Sequence, residues 1–94
     1  MKVTIQFFLP EMREAIGAKE IEISFSGASV HDVIDHLIAQ YGHKARQVLY
    51  DEAGKLDPLV QILHNGEAWI PHDELETTLQ DGDNLVFMMM MAGG

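Results

Sequence analysis

Apolar and polar residues alternate from the start of the chain. Val3, Ile5, Phe7 and Leu9 fall on one side of an extended segment, and Lys2, Thr4, Gln6 and Phe8 on the other. A period of two predicts a strand with one buried face. Phe8 breaks the pattern, because it puts a large aromatic ring on the polar side. Pro10 ends the strand. Residues 12–16 have the composition of a helical turn, and Gly17 supplies a break. Alternation returns over residues 20–25, with Ile21, Ile23 and Phe25 inward. Two strands joined by a connection of about ten residues predict an antiparallel pair with a wide loop.

The period then changes. Val30, Val33, Ile34, Leu37, Ile38 and Tyr41 form one apolar stripe at helical spacing. Ser29 is placed as the N-cap, Asp32 suits the helix dipole at N3, and Gly42 is placed as a left-handed C′ residue. Residues 43–50 fit a short helix or a strand equally well. Residues 51–55 are turn chemistry. A strand is predicted over residues 59–64, followed by Asn65-Gly66 as a hairpin signal and a short returning strand that Pro71 stops. Leu75 and Leu79 are spaced for one helical turn that anchors a loop on the core. Asp81-Gly82-Asp83-Asn84 is a further turn, and Leu85 opens the last strand. The predicted order is β-β-α-β-(β)-β, an α+β grasp with one main helix across a mixed sheet of four to five strands. Its first and last strands can lie side by side and parallel.

The chain has 94 residues, which suits one domain over residues 1–94 and leaves no room for a deep private active site. It has no cysteine, which excludes disulfide staples, thiolate metal sites and a cysteine nucleophile. Fifteen acidic side chains against 6 basic ones give a net charge of -9. That balance argues against nucleic acid and anionic membranes as partners. The last basic residue is Lys55, whereas Asp57, Glu67, Asp73, Glu74, Glu76, Asp81 and Asp83 follow it. The C-terminal half is therefore expected to be steered toward a positively charged surface. No apolar run is long enough to span a membrane, and the first residues lack the features of a signal peptide, so a cytoplasmic protein is expected.

The end of the sequence carries the candidate chemistry. Met88, Met89, Met90 and Met91 are followed by Ala92, Gly93 and Gly94. Residues 88–94 are expected to form an extended tail reaching about 23 Å. Two glycines have no Cβ, enter narrow channels and leave a terminal carboxylate unhindered. Such a carboxylate is suited to activation by another protein. Attack on the α-phosphate of ATP would give an acyl-adenylate, which a sulfur or nitrogen nucleophile could open. Methionine fits irregular apolar grooves. Met88 is expected to pack on the sheet, and Met90 and Met91 to meet a partner.

In order, Phe7-Phe8, Arg13-Glu14, Gly17, the helix over residues 30–41, Asn65-Gly66-Glu67, Asp81-Gly82-Asp83 and the final Ala-Gly-Gly resemble the MoaD-like small subunit of molybdopterin synthase. That family belongs to the ubiquitin-like sulfur carriers and is related to the thiamine sulfur carrier. The resemblance covers essentially the whole chain and implies a β-grasp fold. It implies that an E1-like adenylyltransferase uses ATP to activate Gly94, next to Gly93, with no cofactor bound by the chain itself. A thiocarboxylate would follow and donate sulfur inside the large synthase subunit, in a heterotetramer, for the molybdenum or tungsten cofactor. The small subunit would not be an enzyme on its own. Phe8 matches an aromatic on the face that meets partners, and Met88 to Ala92 match the inserting segment. Where the family commonly has Pro-Pro, this chain has Met89-Met90, and His64 replaces a small apolar residue. The alternatives are a ubiquitin-like protein modifier, a carrier for thiamine or tRNA thiolation, and a pure interaction domain.

Three other features point to structure rather than chemistry. His31, Asp32, Asp35 and His36 have spacings that suit zinc, but lie opposite the apolar stripe and are expected on a solvated face. His64 is expected to be partly buried beside the hairpin. Trp69 is expected to pack in the core or at an edge.

Overall fold

The computed structural model describes residues 1–90; Met91, Ala92, Gly93 and Gly94, named above as site residues, lie outside the described residues. The elements run β1 (Lys2–Phe8), α1 (Pro10–Ile16), β2 (Glu20–Ser24), α2 (Val30–Tyr41), α3 (His43–Leu49), β3 (Val60–His64), β4 (Ala68–Trp69) and β5 (Asn84–Met89). One five-stranded sheet has the order β2-β1-β5-β3-β4. The first and last strands pair in parallel at its centre, and the other neighbours are antiparallel.

Alternation decides what each strand buries. Val3, Ile5 and Phe7 of β1 and Leu85 and Phe87 of β5 are fully buried on one face. Phe7 and Phe87 stand opposite each other in the register, with ring centroids 5.7 Å apart. Against this face α2 lays Val30, Val33, Ile34 and Leu37, all fully buried. Burial of each such side chain contributes roughly 1.5–3 kcal/mol.

The start of α2 is closed from two sides. Ser29 Oγ accepts the Asp32 N–H, and Asp32 Oδ2 accepts the N–H groups of Ala28 and Ser29, a complete capping box. The segment after β4 supplies the rest: the carbonyls of Thr77 and Leu75 accept the N–H groups of Val30 and His31. Leu79 is buried and Leu75 partly so, as expected of an anchoring loop, but they sit on irregular backbone rather than a helical turn. Within the loop, the Glu74 and Thr77 N–H groups close turns on the Pro71 and Glu74 carbonyls, while the Leu75 and Thr77 carbonyls serve the start of α2.

The helices differ from expectation in number. Residues 10–16 form a two-turn helix, α1, because Pro10 occupies its first turn, fully buried Met12 anchors it, and Gly17 ends it at φ 83° and ψ 15°. Residues 43–49 resolve as a helix, α3, since Ala45, Val48 and Leu49 share one buried face. Gly42 joins α2 to α3, but not as a left-handed C′ residue. Its φ of 78° with ψ of -152° lies in a region open essentially to glycine alone, which turns the chain directly from one helix into the next.

Candidate functional site

The edge of the sheet where β1 and β5 finish side by side gathers the candidate residues. Phe8 pairs with Met88 across the parallel ladder, and Met88 pairs with Gln61 on its other side. These side chains stand on the face away from α2. Two register steps back on the same face, Val86 stands between Gln6 and Leu63, and Leu63 stands opposite Trp69. Phe8 is 55% exposed, Trp69 53%, Leu59 44% and Met90 59%. An apolar strip thus crosses four strands on a face that would otherwise be polar.

Phe8 broke the alternation because it belongs to this strip. Its position is held from below. Arg13 Nε donates to the Phe7 carbonyl at 2.6 Å, and the guanidinium carbon lies 5.3 Å from the centre of the Phe8 ring. A cation over the ring face adds an attraction of roughly 0.5–1 kcal/mol at an exposed site. The Arg13 fork therefore ties α1 to the end of β1.

Met88 and Met89 are strand residues of β5, and Met89 packs against the core opposite Val60. The Met90 N–H then donates to the Leu59 carbonyl at 2.7 Å. The segment expected as a tail from residue 88 therefore spends its first three residues on the sheet. Four residues of extended chain span about 13 Å, against about 23 Å for seven.

Trp69 lies at the sheet edge, as one of the two expected placements had it, but its ring belongs to the exposed strip. Leu59, Leu63 and Trp69 were missed as site residues. Asn65-Gly66 was the available signal, because a tight hairpin there forces Leu63 and Trp69 to face each other.

The histidine and carboxylate pairs on α2 are engaged locally. Backbone N–H groups of Ala28 and then Ser29 hold the Asp32 carboxyl below its ordinary pKa. His36 Nε2 is 3.0 Å from Gln40 Oε1. His31 faces Glu76 at 3.1 Å and Asp35 at 3.5 Å. Among the described residues no group of three or more histidines or carboxylates is placed to hold a metal ion, and no helix is long and apolar enough to cross a membrane.

The sequence model of the ThiS family matches residues 7–94. The chain belongs to the ThiS family. Its fold is the ubiquitin-like β-grasp, and this small carrier and modifier family is not catalytic by itself. The small archaeal modifier protein 3 of Haloferax volcanii is 34% identical over 95 residues, covering 100% of both chains. The solution structure of small archaeal modifier protein 1 from Methanosarcina acetivorans is 30% identical with a TM-score of 0.79, covering 99% of this chain and 96% of that one. A Pyrococcus furiosus structure described as a molybdopterin converting factor, subunit 1, is 26% identical with a TM-score of 0.72, covering 97% and 99%. The ThiS-family chain therefore has relatives described as modifiers and a relative described as a molybdopterin converting factor.

Proposed function

We propose that this protein is a cytoplasmic sulfur carrier that works through the carboxylate of Gly94. An E1-like adenylyltransferase binds it together with ATP. A carboxylate oxygen attacks the α-phosphorus, pyrophosphate leaves, and an acyl-adenylate forms. A sulfur nucleophile at the oxidation level of sulfide then attacks the acyl carbon and expels AMP, leaving a thiocarboxylate. Gly93 and Gly94 give this chemistry a stem without side chains. Absent cysteine fits the reading, because the sulfur then rides on the terminus. The chain holds no cofactor of its own, and ATP belongs to the activating enzyme.

In the pathway proposed, the thiocarboxylate is the sulfur donor of molybdopterin synthase. The large subunit takes Met91, Ala92, Gly93 and Gly94 into its active site, in a heterotetramer, and makes the dithiolene for molybdenum or tungsten. The observation that carries the carrier reading is the Met90–Leu59 hydrogen bond at the end of the Phe8–Met88 strip. A partner that covers the strip is thereby brought beside the last residues. Mass spectrometry of protein isolated from cells tests the reading. The expected product has one sulfur in place of one oxygen at Gly94, and its loss on deleting the two glycines. A chain that the matching enzyme never adenylates would sink it.

A second reading has a specific observation behind it, the full-length similarity to a modifier protein. Here a lysine amine of another protein attacks the same acyl-adenylate or its thioester successor and forms an isopeptide bond. Immunoblots would show a ladder of conjugates that vanishes with the two glycines. Both readings share the activation step and differ in the nucleophile.

A further inference from the structure

An open groove of about 740 Å³ lies between the start of α2, the turn over residues 50–58 and the loop over residues 71–76. Tyr50, Leu56, Pro58 and Leu75 supply apolar lining, and Asp51, Asp73 and Glu76 stand among the charged groups. Lys55 is the single lysine there, and His31 and His72 complete the titratable groups. His72 Nε2 is taken up by the Asp57 carbonyl at 3.2 Å. Burial, then the hydrogen bond to Asp35, pushes the Tyr50 phenol up to about 12, so it stays a proton donor.

Six of the seven acids after Lys55 divide into two groups, and the seventh, Glu67, is exposed in the hairpin turn. Asp57 accepts the Leu59 N–H, Asp81 accepts the Lys2 N–H, and Asp83 bonds His64 and Asn65. These three serve the fold. Asp73 and Glu74 make no side-chain hydrogen bond among the described residues, and Glu76 meets His31 alone. Of the acids left unengaged by the fold, Asp73 and Glu76 line the groove, while Glu74 and Glu67 lie outside its lining. The groove also adjoins the end of the sheet strip, because Pro58 precedes Leu59, whose carbonyl holds Met90.

We propose that this groove seats a basic, aliphatic segment of the activating partner that adenylates the chain: an arginine or lysine beside a leucine-sized side chain. The apolar floor covers the aliphatic group. The cationic head meets the Asp73 and Glu76 carboxylates of the lining and fits the steering expected of the acidic half. A volume in this range holds a short peptide segment. The identity of the partner rests on the carrier reading above; the chemistry of the groove does not.

Two measurements test it. The peptide acetyl-Leu-Arg-Leu-Arg-amide is titrated into the isotope-labelled full chain and followed by amide shifts. Shifts centred on Leu56, Asp73, Leu75 and Glu76, absent with acetyl-Leu-Glu-Leu-Glu-amide, are expected. Shifts elsewhere, or equal shifts with both peptides, overturn the proposal. In the adenylation reaction, Asp73→Lys/Glu76→Lys is compared with Glu11→Lys/Glu22→Lys, which changes the net charge equally away from the groove. The groove pair is expected to raise KM roughly tenfold or more with kcat nearly unchanged, and the control pair is expected to leave both near wild type. Equal KM values for the two pairs overturn it. The milder Asp73→Asn/Glu76→Gln, expected to raise KM less, decides the matter if the reversal pair fails to fold. If the wild-type chain is never adenylated, the carrier reading fails while the peptide titration still decides the groove.

Discussion

His64 Nε2 stands 2.8 Å from Asp83 Oδ2, with the two side chains only 20% and 13% exposed. The contact joins the end of β3 to the turn that feeds β5. Asn65, at a left-handed φ of 53°, donates from Nδ2 to the other oxygen of Asp83 at 3.1 Å and accepts the Asn84 N–H at 2.7 Å. The hairpin turn and the turn before the last strand are therefore one hydrogen-bonded unit. Burial raises the Asp83 carboxyl, but the bonds from the Gln80 N–H, His64 and Asn65 outweigh it and leave the pKa below its ordinary value.

That depression has a sign. A carboxyl with a lowered folded pKa contributes stability above its unfolded pKa, about 3.9, and loses it as pH falls through the folded value. Asp83→Asn is expected to cost roughly 1–3 kcal/mol at pH 7, since His64 and two N–H donors lose a charged acceptor. Urea midpoints at pH 7, 5 and 3 check this. The gap between wild type and variant should narrow below about pH 4. A gap that stays constant with pH would show that the charge is immaterial.

At the start of α2, Ser29→Ala removes one half of the capping box and is expected to cost about 1 kcal/mol. Gly27→Ala should destabilise the same element by a different route. A Cβ there would lie 2.5 Å from Asp32 Cβ, so the capping carboxylate must move. The two changes should be less than additive, because both dismantle one cap. Thermal unfolding of the single and double variants gives the answer; full additivity would mean that Gly27 acts elsewhere.

Two phenylalanines one register step apart should separate folding from recognition. Phe87→Ala opens the core and is expected to cost about 3–5 kcal/mol. Phe8→Ala removes an exposed ring and is expected to change stability by less than about 1 kcal/mol, at the level of its contact with Arg13. In the adenylation reaction Phe8→Ala should raise KM all the same. A Phe8→Ala chain that is activated normally would remove the strip from the proposed interface.

Met90→Pro asks what the last hydrogen bond does. Proline deletes the N–H that Leu59 accepts, so a loss of roughly 0.5–1.5 kcal/mol is expected. Hydrogen exchange at the Gln61 and Met88 amides, the next pair inward on the β3–β5 ladder, should also quicken as its end frays. Unchanged exchange would place the end of the sheet at Met89.

Local periodicity made the main elements legible. Val3, Ile5 and Phe7 alternate because a pleated strand buries every second residue, and that rule needs no knowledge of the partner strand. The same holds for the stripe on α2 and for Ser29 as its cap. Residues 43–50 were ambiguous because the stretch is short, and burial of Ala45, Val48 and Leu49 against the rest of the chain decides for α3. The four methionines were harder. A run of identical side chains has no period, so nothing local says where the strand stops. The ladder to β3 decides it, with Met88 and Met89 inside the strand and Met90 at its last bond.

The sequence by itself determined the buried faces, the main helix and the uneven charge, and it raised the expectation of a reactive end at Gly93-Gly94. It also marked Phe8 as misplaced for a polar face. Only the tertiary structure decided why. Phe8, Met88 and the Leu63–Trp69 hairpin pair lie far apart along the chain and come together through register across β1, β5, β3 and β4. Register is a property of pairs of strands, set by turns and by the common core they cover. The groove beside Asp73 and Glu76 has the same origin. Charge counting located an acidic half, and folding alone separated the carboxylates bound into turns from those left facing outward.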